Sequence, residues 1–175
     1  MPLVDLDRTA DFLSRTPLAL DALLRGLPDA WARRKEKEGG WSAYDVVGHL
    51  IHGEHADWIP RARRILADGE ARAFEPFDRE AQARWPQDVP LDARLDEFAA
   101  AREDSLAQLR ALRLTPGELA RKGRHPSLGT VTLSELLGTW VVHDLNHLAQ
   151  AARILARARG DEVGPWHEYL PVLHR

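Results

Sequence analysis

The 175-residue chain contains no cysteine. That absence excludes disulfides, thiolate metal ligands and a cysteine nucleophile together, and it suits a reducing compartment. Lysine is nearly missing too: Lys35, Lys37 and Lys122 are the whole set beside many arginines, a preference read as genome composition rather than function. There is no basic surplus. The formal charge is −3 and the pI near 6.2, which disfavours a dedicated nucleic-acid binder. No run approaches the ~20 apolar residues of a membrane span. The opening residues, MPLVDLDRTADFL, lack the basic start and apolar stretch of a secretion signal. A cytoplasmic protein without membrane contact is the expectation. What is present is a globular composition, 44% hydrophobic and 29% charged, in a length that suits a single domain over residues 1–175.

Four segments carry helical periodicity. The first is expected from about Asp7 to Leu27, with Leu13, Leu18, Leu20, Leu23 and Leu24 as its stripe, Pro17 as a kink and Pro28 as its stop. The second follows the Gly39-Gly40 break, with Ser42 as N-cap and Asp45 three residues on, and runs to about Leu66 with an interruption at Pro60. The third covers about Leu91 to Leu114, behind Pro90. The fourth runs from Thr132, where Glu135 completes a capping box, to about Arg159 before Gly160. Asp68 to Pro90 is too long for a tight helix connection and reads as a lid or crossover, and Pro116 to Gly129 reads as a second irregular connection. Strand signals are confined to Val131-Thr132 and the last residues. Such a pattern predicts an all-α fold, a four-helix bundle.

The eight histidines are the informative residues. His143 and His147 lie four apart in the fourth helix, hence on one face. Two imidazoles so placed can share a metal ion. The intervening Asp144-Leu145-Asn146 lacks the general-base Glu of HExxH, which excludes a zinc protease. The same spacing also serves an ordinary helix face, so a third ligand has to come from elsewhere. At about 100° per residue, Leu133, Leu137, Trp140, Leu148, Ala151 and Leu155 form the buried stripe. His147 falls beside it, His143 on its flank and Asp144 near its centre. An inward carboxylate is costly without a partner; beside two inward histidines it serves as a ligand or as the acceptor that orients one. In the second helix the stripe is Val46, Val47, Leu50, Ile51, Trp58 and Ile65. His49 lies at its edge, with Gly53 leaving volume beside the ring, whereas His52 and His55 point to solvent. Glu54 falls inside the stripe and either supports a metal site or pairs with an arginine.

Three stretches, Gly40-Trp41-Ser42-Ala43-Tyr44-Asp45-Val46-Val47-Gly48-His49-Leu50, His125-Pro126-Ser127-Leu128-Gly129-Thr130-Val131-Thr132-Leu133 and His143-Asp144-Leu145-Asn146-His147-Leu148-Ala149-Gln150, resemble motifs of the DinB superfamily. These are GWS-x-x-(E/D)-V-x-x-HL, HP-x-x-G-x-x-T-L and H-D-x-x-H-x-x-Q, matched in order and separation over nearly the whole chain. The resemblance implies a four-helix bundle whose long connection joins helices two and three. It also implies one divalent metal ion, nickel or zinc, on His49, His143 and His147. The activities implied are a metal-dependent hydrolase or a transferase that attaches a low-molecular-weight thiol to an electrophile, with a small-molecule substrate and often a homodimer. A metal-binding stress or storage bundle is the non-enzymatic alternative.

Three imidazole ligands leave a coordination position open, where water or a thiol can be ionised. Because the chain has no cysteine, any thiol comes in as a cosubstrate. Asp144 is the candidate to orient a histidine or accept a proton, and Asp57, two turns beyond His49, is the second candidate carboxylate. His125 is expected to be structural, with Pro126 fixing how the chain joins the fourth helix. Trp41 and Trp140 are expected to pack, Trp58 and Trp85 are candidates for a pocket wall, and His167 and His174 belong to the surface.

Overall fold

Each capped helix begins where a short polar side chain can accept a backbone N–H. In the computed structural model, which describes residues 3–174, Asp5 accepts from Arg8 N to open α1 (Leu6–Leu24). The short α2 (Asp29–Ala32) follows. Ser42 and Asp45 form a reciprocal capping box at the head of α3 (Ala43–Ala56). The remaining elements are α4 (Trp58–Asp68), α5 (Leu91–Ala111), α6 (Pro116–Leu119), β1 (Lys122–His125), β2 (Gly129–Thr132) and α7 (Leu133–Ala158). Thr132 and Glu135 cap α7 in the same reciprocal way as α3. The long helices α1, α3, α5 and α7 form a four-helix bundle in which α1 and α3 each pack against both α5 and α7.

Several boundaries differ from the expectation. The second predicted helix divides at Asp57, whose backbone (φ −112°, ψ −76°) ends α3 and restarts the chain as α4. Pro60 then sits in the first turn of α4, where a missing N–H costs little. Residues 116–129 are not irregular: α6 leads into an antiparallel hairpin pairing Lys122 with Thr132 and His125 with Gly129. The end of the chain forms 3₁₀ turns, with no strand among its described residues. In α1, Leu13, Leu20 and Leu24 are buried, but Leu18 and Leu23 lie 70% and 36% exposed, outside the stripe.

The core has two apolar halves. Leu20, Leu24, Val46, Val47, Leu50, Ile51, Leu95, Phe98, Ala151 and Ile154 belong to one. Leu13, Trp58, Ile59, Ile65, Leu106, Leu109, Leu133, Leu137 and Trp140 belong to the other. Between them each long helix contributes a buried polar residue: Thr16 from α1, Glu54 from α3, Arg102 from α5 and Asp144 from α7. The connection from α4 to α5 folds back on α3 through a 3₁₀ turn at Ala81–Arg84. Gly48 permits this approach, because a Cβ there would lie 2.9 Å from Gln82 Cβ. Among the described residues no helix is long and apolar enough to cross a membrane.

Candidate metal centre

His49 from α3 and His143 and His147 from α7 converge. His143 Nε2 lies 3.1 Å from His49 Nε2 and 3.1 Å from His147 Nε2. The structure thus brings the three predicted metal-ligating residues together, their ligand atoms all within 4.8 Å of one another. His49 and His147 are buried, and His143 is partly exposed.

The donor set fits a cation. His147 Nδ1 lies 2.8 Å from Gln150 Oε1, a pairing in which Nδ1–H donates and the Nε2 lone pair points at the other two rings. Asp144 Oδ1 lies 4.0 Å from His143 Nδ1, which favours the same tautomer there. The partners of the rings, rather than visible hydrogens, make these assignments. With that arrangement the His143 and His147 lone pairs face one another at 3.1 Å, which is repulsive unless a positive ion lies between them. Four-coordinate zinc at ~2.0–2.1 Å from each nitrogen would hold them about 3.3 Å apart. Burial drives the His49 pKa down to about 3 and the His147 pKa down to about 4, helped by the neighbouring rings, so both stay neutral and able to ligate.

Behind this cluster sits a buried charge network. Arg102, 1% exposed, donates through Nη1 to Asp144 Oδ2 (2.6 Å) and to the Leu13 carbonyl (2.7 Å), and through Nη2 to Glu54 Oε1 (2.6 Å). Its guanidinium lies 5.1 Å from the centre of the Phe98 ring and 5.2 Å from that of Trp140. Of the two roles open for Glu54, pairing with an arginine is the one observed. Asp144 is turned toward Arg102, with its other oxygen 4.0 Å from His143, and is absent from the walls of the cavity described next. Burial would raise the Asp144 pKa, yet His143 and Arg102 bring it below the usual carboxylate range.

A cavity of about 510 Å³ opens onto His49 and His143. The lid or crossover expected at residues 68–90 is one wall, through Phe74, Pro76, Phe77 and Arg79, and the hairpin is another, through His125 to Leu128. Asp57 lines it from the α3–α4 break, buried and ion-paired with Arg61 at 2.6 Å. Burial raises the Asp57 pKa against the pull of Arg61. His125 does two things: its Nδ1 accepts from Ser127 N and Leu128 N to close the hairpin turn, and its ring lines the cavity. Trp58 also lines the cavity, whereas Trp85 packs on Arg94 and His52. The space expected beside Gly53 is taken by the Trp58 indole, 3.2 Å from where a Cβ would stand. Trp41 packs its ring 4.7 Å from His49 and 5.9 Å from His147, and Trp140 is fully buried. His52 packs against Phe77 instead of pointing to solvent; His55, His167 and His174 are exposed. Sequence reasoning gave no role to Arg79, Arg102 or Gln150; for Gln150, the end of the H-D-x-x-H-x-x-Q stretch, the signal was there, three residues after His147 on the same face.

The profile of the DinB superfamily matches residues 13–151. The chain belongs to the DinB superfamily. Within this DinB protein's relatives, YfiT of Bacillus subtilis (strain 168) is 26% identical over 161 residues, 86% of this chain and 84% of YfiT. A Bacillus pumilus (strain SAFR-032) protein is 24% identical over 154 residues, 87% of this chain and 86% of that one. Both carry names that describe them, provisionally, as metal-dependent hydrolases. The solved structure of YfiT, described as a probable metal-dependent hydrolase with an unusual four-helix bundle topology, is similar with TM-score 0.75 and 25% identity, covering 89% of this chain and 87% of YfiT. TT2238, a four-helix bundle protein, is similar in fold alone, with TM-score 0.52 and 22% identity over 85% of this chain and 98% of that one.

Proposed function

We propose that this DinB protein is a metal-dependent hydrolase of a small electrophilic substrate, with one divalent ion, nickel or zinc, held by His49, His143 and His147. The convergence of three imidazoles, two of which line an open cavity, carries the reading. The names of the Bacillus relatives support it. When bound, the ion supplies Lewis acidity and acidifies a water or thiol nucleophile. The chain's own groups supply the rest. Asp57, at the cavity wall with a raised pKa, takes a proton from the nucleophile and returns it to the leaving group. Phe74, Phe77 and Leu128 give the substrate apolar walls. Asp144 is a positioning residue, acting on His143 from the side away from the cavity.

Transfer of a low-molecular-weight thiol to an electrophile is the second reading. It is favoured by a cavity of about 510 Å³, within the size range of drug-sized ligand pockets, which leaves room for a thiol cosubstrate. Protein purified without an affinity tag should carry about one ion per chain by mass spectrometry, and His147→Ala should lose it; unchanged occupancy in the variant overturns the site. The loaded protein is then offered p-nitrophenyl esters and amides and, separately, a model electrophile with glutathione, bacillithiol, mycothiol or coenzyme A. Ester or amide cleavage that falls about 10²-fold in Asp57→Asn, with metal retained, supports hydrolysis. Conjugation with inert esters selects the transferase. No turnover in either arm leaves a non-enzymatic metal-binding bundle and overturns the enzyme.

A further inference from the structure

The cavity lining holds four formally charged side chains: Asp57, Arg61, Arg79 and Glu135. Three of them are already engaged. Arg61 pairs with Asp57 at 2.6 Å and donates to the Glu75 carbonyl at 3.3 Å. Glu135 accepts the Thr132 N–H at 2.7 Å at the head of α7. Arg79 has no carboxylate within ion-pair distance among the described residues; its neighbour Asp78 is taken by Arg84. Yet Arg79 is close to the imidazole cluster. It lines the same cavity as His49 and His143, and its charge disfavours protonation of both His49 and His147.

An exposed guanidinium lining the same cavity as two of the three ligands for a cation adds like charge to the site. Like charges repel, and a divalent ion on the histidines sharpens the repulsion. An anion bridging the two positive centres removes it. The rest of the lining is apolar: Phe74, Phe77, Leu128, Val131 and Leu136. We propose that Arg79 binds the substrate, pairing with a carboxylate or phosphoryl-type oxyanion on an otherwise apolar molecule whose reacting bond lies at His49 and His143. This rests on the reading of the three histidines as a metal centre. A guanidinium suits such a group because its planar donors match two oxygens at once.

The proposal gives Arg79→Gln two effects of opposite sign. Anion binding weakens, and metal affinity holds or rises because a repelling charge has gone; a variant that merely misfolds loses both. Calorimetry on the metal-loaded full chain would compare phenylacetate, phenylphosphonate and the neutral phenylacetamide. At least one anion should bind about tenfold or more tighter than the amide. Arg79→Gln should erase that preference with nickel or zinc affinity undiminished, and Arg79→Lys should keep part of it. Whichever anion shows the Arg79-dependent preference identifies the oxyanion. Equal binding of anions and amide, or wild-type anion affinity in Arg79→Gln, overturns the proposal. If the wild-type histidines take up no metal, the metal reading fails by itself. The same titrations on the metal-free chain then decide on Arg79, where an Arg79-dependent anion preference supports it and none overturns it.

Discussion

Arg102 holds two carboxylates with one guanidinium in a layer closed to water: its own side chain is 2% exposed, and those of Glu54 and Asp144 are 1% and 2% exposed. Removing one member of such a network is far costlier than never having built it, because the charges left behind stay buried. Arg102→Met should therefore destabilise the fold by about 3–5 kcal/mol at neutral pH, read by urea denaturation. The deficit should narrow on acidification. In the variant both orphaned carboxylates have folded-state pKa values above their unfolded value of about 4. The folded variant then binds more protons than the unfolded chain, and its stability rises as pH falls through that window. A deficit of the same size at pH 5 as at pH 7 would count against the network. Glu54 and Asp144 were legible as inward residues, since helical stepping reports which face is buried. Their partner was not. Arg102 lies 48 and 42 residues from them, in a segment that also offers Arg94 and Arg110, and only the packing of α5 against α3 selects it.

Among the elements, α7 matters most, because one helix carries two of the three converging imidazoles. Its reciprocal cap fixes where it starts: Glu135 N donates to Thr132 Oγ1 at 3.1 Å, and Thr132 N to Glu135 Oε2 at 2.7 Å. Thr132→Ala should cost about 1 kcal/mol of stability. His143 lies about three turns further on, so metal affinity should not change. A thermal melt and a metal titration on the same variant check both halves, and a lost affinity would mean that the cap also sets the site. The caps at Ser42 and Thr132 were legible because capping is local. The α3–α4 break was placed at Pro60 rather than Asp57 because a proline signals a boundary without saying which side of its own turn the chain bends. The hairpin escaped because the four residues of β1, Lys122 to His125, show no alternation of apolar and polar side chains. Its register depends on Ile65 and Phe74 closing over Gly123 from elsewhere in the fold.

For the whole molecule, the imidazole cluster ties α3 to α7 across 94 residues of chain, so an ion there is a staple of the folded state alone. An ion that binds the folded but not the unfolded chain adds about 2.7 kcal/mol of stability at one hundred times its dissociation constant. Chelation should remove that increment, and His147→Ala should be indifferent to added metal. The pH dependence separates a buried site from a surface pair. Burial pushes the folded-state pKa of His49 to about 3 and of His147 to about 4, below the 6.5 of an ordinary histidine. With the folded values depressed, the unfolded chain takes up protons first as pH drops below about 6.5. The metal-free protein therefore loses stability from there downward, toward pH 4 and 3. The metal increment behaves differently. It is tied to the folded ligands, and protons do not contest the folded His49 or His147 anywhere in pH 5 to 8, so neither ring should make the gap in Tm between loaded and chelated protein fade across that range while both curves fall at its acid end. Melting at pH 5, 6, 7 and 8 with and without zinc measures it. An increment that fades through pH 6.5 as steeply as three competing protons require would show rings that water reaches and protons contest, as on an exposed helix face, and the enclosed centre would have to be abandoned.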